Sequence, residues 1–306
     1  MKVKRVAQHG VTHPFGDHRS VNQAFPAAID TTEADPFLMC DYFDMKESKG
    51  PASHPDEFPV NWHPHRGFDI ATYLRSPGHG RHGDSLGNRE TYATPGMQWI
   101  STGSGVEHAE GGATPLGQRT QGFQIWVNVP ADEKMKDPRY GTVPTQDLPL
   151  LTVSPGVAAR VLAGPLGDYT GPFETTQPVQ MIDFEVSSAK SSFSLDIPEH
   201  LDTAMVYVYE GSLIVNGESV PQGSVVLLDA SLSNQRVLRL GEGVGNALLF
   251  AGQKLRQPIA WHGPIVMNSS EQIRSTLQEI RSGHFPPIRV DWDYKRIDTK
   301  PRDKST

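Results

Sequence analysis

Two short stretches, Trp62-His63-Pro64-His65-Arg66-Gly67 and Gly105-Val106-Glu107-His108-Ala109-Glu110, each carry two ligand-type side chains separated by one residue. Successive residues of a β-strand point to opposite faces, so positions i and i+2 share a face. If both stretches are extended, His63 with His65 and His108 with Glu110 project as pairs that can meet in one cavity. Three imidazoles and one carboxylate form a nitrogen–oxygen set suited to a divalent transition metal such as iron, manganese, copper, nickel or zinc.

Neighbouring acids and histidines compete for the same role. Glu107 adjoins His108 but faces the other side of a regular strand, so Glu110 is preferred; a β-bulge would exchange the two. Asp69 shares parity with His63 and His65 and is a candidate outer ligand or hydrogen-bond acceptor. His79 and His82 fall in a glycine-rich stretch and read as solvated loop residues. Other catalytic templates are missing: the chain has no H-E-x-x-H, G-x-S-x-G, phosphate-binding loop or dinucleotide fingerprint. His108-Ala109-Glu110 matches the H-x-E of zinc deaminases, but their P-C-x-x-C partner is excluded because Cys40 is the only cysteine. Cys40 itself reads as a small packed hydrophobe.

The elements that must position these residues read as β throughout. Strand-like runs at 70–74, 97–102 and 124–129 stand among turn-type stretches, Gly78-His79-Gly80, Ser85-Leu86-Gly87-Asn88 and Pro95-Gly96. The second half repeats this grammar at 181–186, 204–209, 212–215, 224–229 and 247–251, with Asn216-Gly217 as a two-residue hairpin signal. One helix is expected near the end, where Ser269 and Gln272 form a capping box, Ile273, Leu277 and Ile280 line a face, and Gly283 stops it. Nine of the twelve histidines lie at or before His108, so the two halves differ in chemistry. The prolines at 138, 144, 149 and 155 mark the boundary between them.

Composition is ordinary for a globular chain of 306 residues, with 37% hydrophobic and 21% charged residues. A net charge of −7 gives no general attraction to phosphate backbones. No apolar run is long enough to span a bilayer, and the first residues lack the apolar core of a signal peptide. The expected setting is the cytoplasm, or also the nucleus in a eukaryote, with no nucleic-acid or membrane partner.

Taken together, His63-Pro64-His65-Arg66-Gly67-Phe68, Asp84-Ser85-Leu86-Gly87-Asn88, Pro95-Gly96-Met97-Gln98-Trp99 and Gly103-Ser104-Gly105-Val106-Glu107-His108-Ala109-Glu110 closely resemble the pirins. These are two-domain members of the cupin superfamily. The likeness extends upstream to Asp35-Pro36-Phe37-Leu38, Asp41 and Phe43. Downstream it covers Gln124-Ile125-Trp126-Val127-Asn128, Glu133-Lys134-Met135 and His262 to Asn268, and so most of the chain. The family's ligands fall on His63, His65, His108 and Glu110, the four that strand parity selects. Where the family usually carries Glu, this chain has Asp69, and where it has His-Glu-Asp, this chain has His82-Gly83-Asp84.

The resemblance implies two antiparallel β-barrel (cupin, or jelly-roll) domains in tandem with a short C-terminal helix. Residues 1–148 would form the metal-binding cupin and 149–306 a cupin-like domain without ligands. It further implies one metal ion, Fe(II) foremost, and a dioxygenase acting on flavonols, of the quercetin 2,3-dioxygenase type. Trp62, Phe68 and Trp99 would wall the cavity or pack behind it, and Glu110 would either only offset the metal's charge or also serve as the catalytic base. The alternative is a non-enzymatic, metal- or redox-dependent regulator that binds a transcription factor or a metabolic enzyme. The expected oligomeric state is a monomer.

Overall fold

The computed structural model describes residues 1–8, 11–15, 18–46, 54, 56–112, 117–231 and 236–300. It is built from two large antiparallel sheets, a two-stranded ribbon and a C-terminal helix, as two jelly-roll halves. In the first sheet the order is Arg139–Val143, Arg89–Ser101, Phe68–Asp84, Arg119–Asn128, Phe37–Lys46, His18–Phe25 and Val11–Phe15. Val60–His65 pairs with Val106–Gly112, which in turn pairs with Phe68–Asp84. The second sheet runs Val3–Gln8, Ser224–Leu228, Thr203–Val215, Val237–Gly252, Val179–Val186, Val157–Leu166 and Leu151–Ser154, with short strands at its margins. The chain's first strand therefore belongs to the sheet of the second half, and residues 264–297 return to the first.

Alternation along the strands sorts side chains between two interiors. In Thr203–Val215, Met205, Tyr207 and Tyr209 face a core shared with the first half, whereas Ala204, Val206 and Val208 face the second half's own core. Phe25, Phe37, Tyr42, Tyr73 and Phe123 enter the shared core from the first sheet, and Cys40 is packed there too. Full burial of one such side chain contributes about 1.5–3 kcal/mol, so this seam is a principal source of stability. Polar groups also cross it. Tyr73, Tyr209 and Arg75 all donate to Asp183, while Arg75 also reaches Gln121 and Glu185.

Several expected boundaries are redrawn. Gly78-His79-Gly80 is not a loop: it lies inside the long strand Phe68–Asp84, whose pairing with Arg89–Ser101 shifts register between Leu74 and Gly78. Pro95-Gly96 likewise lies within Arg89–Ser101. The runs at 204–209 and 212–215 are one continuous strand. In each case glycine or proline marks an irregularity within a strand rather than its end. The hairpin at Asn216-Gly217 forms as expected, with both φ angles positive (47° and 92°) and Val215 paired to Glu218. The helix Ser270–Arg281 forms too, with its capping box on Ser269 and Gln272 and Gly283 at φ 74° just beyond it. No helix among the described residues is long and apolar enough to cross a membrane.

Candidate metal centre

Val60–His65 and Val106–Gly112 are antiparallel neighbours, and His63 lies directly across from His108. Between Val60 and His63 the first strand carries one residue more than its partner, since Val60 is already opposite Glu110. This bulge rotates the strand so that both of its histidines meet His108. Ligand atoms of His63, His65 and His108 all lie within 4.8 Å of one another, with His65 and His108 buried and His63 half-buried.

Backbone carbonyls orient two of these rings. His63 Nδ1 is 2.7 Å from the Asn61 carbonyl and His65 Nδ1 is 3.2 Å from that of Pro264. Each contact places the proton on Nδ1 and leaves the Nε2 lone pair toward the cluster. The His65 Nε2 and His108 Nδ1 atoms are buried and find no hydrogen-bond partner among the described residues. The Nε2 atoms of His63 and His108 are 3.0 Å apart. Burial, reinforced by the neighbouring imidazoles, pushes the pKa of both His65 and His108 well below the ordinary histidine range. Converging imidazoles held neutral are the form that binds a cation, and the donor set fits a divalent transition metal.

Glu110 is buried on the same strand face as His108 but lies outside the 4.8 Å compass of the three histidines. Its carboxylate takes a hydrogen bond from Gln124 Nε2 at 3.0 Å on one oxygen. The other oxygen receives Thr72 Oγ1 at 2.6 Å and also the Gln98 amide. Thr72 pairs across the sheet with both Gln98 and Gln124, so the three form one row on the floor beneath Glu110. Buried polar groups at the centres of otherwise apolar strands were the sequence signal for this row.

The remaining expected residues divide. Glu107 points away from the histidines, its carboxylate taken by the Tyr294 hydroxyl and by Lys295 at 3.3 Å. Asp69 is not an outer ligand. The chain turns at Gly67, with φ 89°, which resets strand parity, and Asp69 instead accepts from Ser101 Oγ at 2.5 Å and Thr176 N at 2.8 Å in the second half. Phe68 does wall the site, its ring 5.5 Å from His65. Trp126, assigned no role at the site from sequence, stands 5.4 Å from the same ring. Trp99 packs on Phe173 in the shared core, and Trp62 lies on the outer face against Phe58 and Tyr294.

His79 is exposed, but His82 is not a loop histidine. It is fully buried, opposite Glu110 in the sheet, with its ring stacked on Tyr140 at 4.0 Å and its Nε2 2.9 Å from Asp84. Asp84 is fixed in turn by the Leu86 and Asn88 amides. His82 and Asp84 have the same i, i+2 spacing as the ligand pairs, a signal obscured by the glycines around them. Gly83 leaves room for aromatic packing: a Cβ there would come within 3.1 Å of Phe58 and 3.4 Å of Trp62.

A family model described as Pirin matches residues 18–127, and one described as Pirin C-terminal cupin domain matches residues 181–286. A Pseudomonas aeruginosa protein, whose name provisionally ascribes to it quercetin 2,3-dioxygenase activity, is 36% identical over 81% of this chain and 86% of its own length. A pirin-like protein of Caulobacter vibrioides is 34% identical, covering 82% of this chain and 87% of that protein. Among solved structures, a quercetin 2,3-dioxygenase from Acinetobacter baumannii superposes with a TM-score of 0.82 at 29% identity, covering 93% of this chain and 98% of the other. The chain belongs to the pirin family.

Proposed function

We propose that this pirin is a dioxygenase acting on flavonols, a quercetin 2,3-dioxygenase type of enzyme. It would use one divalent metal, Fe(II) foremost, held by His63, His65, His108 and Glu110. The observation that carries the reading is the convergence of three histidines, two of them with a buried nitrogen that finds no partner, beside a buried carboxylate. Names borne by the P. aeruginosa relative and the A. baumannii structure support the substrate class.

Bound there, the metal supplies Lewis acidity, which lowers the pKa of a coordinated hydroxyl and polarises a neighbouring carbonyl. His63, His65, His108 and Glu110 would hold the metal, and adjacent hydroxyl and keto oxygens on an aromatic ring are donors that such a centre would take. The chain's own residues do the rest. Phe68 and Trp126 give His65 an apolar wall and keep water from that side. Carbonyls of Asn61 and Pro264 hold the two imidazoles at fixed angles. Glu110 is the group that takes the substrate hydroxyl proton, and Gln98, Gln124 and Thr72 fix where its oxygens stand.

Anaerobic reconstitution with each metal, followed by oxygen uptake across a panel of flavonols and catechols, tests the proposal. Uptake with flavonols that scales with bound metal supports it. Fully loaded protein that turns over none of them would transfer the site to a regulator whose metal controls protein binding.

A further inference from the structure

The strand that carries His63 and His65 sits at a margin of its sheet. Val60–His65 has one sheet neighbour, Val106–Gly112, among the described residues. Two histidines of the centre therefore ride on a strand that the sheet itself holds along one side only. The rest of the support comes from the end of the chain. The Val266 amide donates to the Arg66 carbonyl, and Pro264 holds His65. Arg66 is buried, donating to Ser104, Thr276 and Glu279 of the helix, with its guanidinium over Phe285 at 5.0 Å.

Beyond the helix the chain turns back across the outer face of the ligand strands. The Val290 amide donates to the Ser85 carbonyl at 3.0 Å, and Val290 and Trp292 close over Gly87. The Tyr294 carbonyl accepts from Arg89 at 2.9 Å, and the Ile297 amide donates to Asp56 at 2.8 Å. Tyr294 occupies the decisive position. Its ring lies 5.4 Å from that of Trp62, the residue before His63, and its hydroxyl donates to Glu107, the residue before His108. Because His63 and His108 point inward, Trp62 and Glu107 point outward, and one tyrosine spans both strands from behind.

We infer that Tyr294, through Glu107 and Trp62, is a positioning residue for the metal centre, and that the segment 284–297 is a strap setting the spacing between the His63 and His108 strands. The inference rests on the metal reading of the three histidines. A fixed spacing matters because ligands held near the metal's preferred geometry bind without reorganisation; direct partners of ligating histidines contribute about 10–100-fold in affinity, and a residue acting one step further out belongs at the low end of that range.

The test uses the full chain and cobalt(II) as probe, measuring affinity by competition with a chelating dye, the visible absorption of the cobalt protein, and thermal stability. Tyr294→Phe and Glu107→Ala should each weaken cobalt binding by about tenfold and alter the cobalt spectrum. Glu107→Gln keeps an acceptor for the Tyr294 hydroxyl and should restore both to near the wild-type values. The double variant should be no weaker than either single one, since both remove the same contact. Should Tyr294→Phe fail to fold, Glu107→Ala and its glutamine counterpart carry the comparison alone. Wild-type affinity and spectrum in folded Tyr294→Phe or Glu107→Ala, with only the melting temperature lowered, would overturn the strap. Wild-type protein that binds no cobalt would instead overturn the metal reading on which the strap depends.

Discussion

The middle rows of the two halves show how one architecture serves two purposes. In the first half, Gln98, Thr72 and Gln124 stand side by side on adjacent strands, with their polar ends on Glu110. In the second half, Val206, Leu249 and Ile182 stand side by side on adjacent strands within a core of apolar residues. Both rows are buried, and both come from strands whose opposite face packs into the shared core. The second half fills this row with hydrocarbon, which favours stability. The first gives up part of that burial to hold a carboxylate and three histidines, and needs the chain's end to brace its ligand strands.

The largest effect belongs to Glu110→Gln, expected to lower turnover per bound metal by about 10²–10⁴-fold, the usual contribution of a general base, while metal occupancy falls less. Equal turnover per metal in both proteins would leave Glu110 a structural ligand. In the second half, Leu249→Ala should cost about 2–5 kcal/mol in a denaturant titration and leave metal affinity unchanged. A parallel loss of metal would mean that the two halves are not energetically separable.

A smaller effect is expected where the first interior is made to imitate the second. Gln124→Leu adds apolar surface yet should destabilise by about 1–3 kcal/mol, because it removes the donor on one Glu110 oxygen inside a closed interior. An unchanged or higher unfolding midpoint would show that the polar row has no structural cost to defend. The gentlest probe is pH. With their folded pKa values well below the ordinary value of about 6.5, His65 and His108 stay neutral in the folded metal-free protein and take up protons on unfolding. Their contribution is complete above about pH 6.5 and declines as pH falls below it, by at most about 1.4 kcal/mol per pH unit for each histidine. Replacing both by glutamine should flatten that slope, and an unchanged slope would assign the acid sensitivity elsewhere.

The fold and the meeting of His63, His65 and His108 were legible because both rest on a period of two. Parity put His63 with His65 and His108 with Glu110, and it placed Glu107 on the outside where Tyr294 now holds it. Parity failed where the strand is broken: the turn at Gly67 moved Asp69 to the other half, and the glycines at 78 and 80 disguised the strand that buries His82. The supports were not legible at all. Pro264, Thr276, Glu279 and Tyr294 lie some two hundred residues from the histidine strands they brace, and no local pattern announces a contact of that range. Trp126 was hidden for a related reason, since a tryptophan in a buried strand looks the same beside a metal centre as in any core.

Metal content measured by elemental analysis, in the wild-type chain and in His108→Ala after identical loading, tests the central claim most directly. One equivalent per chain is expected in the wild type and its loss in the variant, with no second equivalent in a protein lacking all four of His63, His65, His108 and Glu110. An unchanged content in His108→Ala, or an equivalent that survives removal of all four, would contradict it.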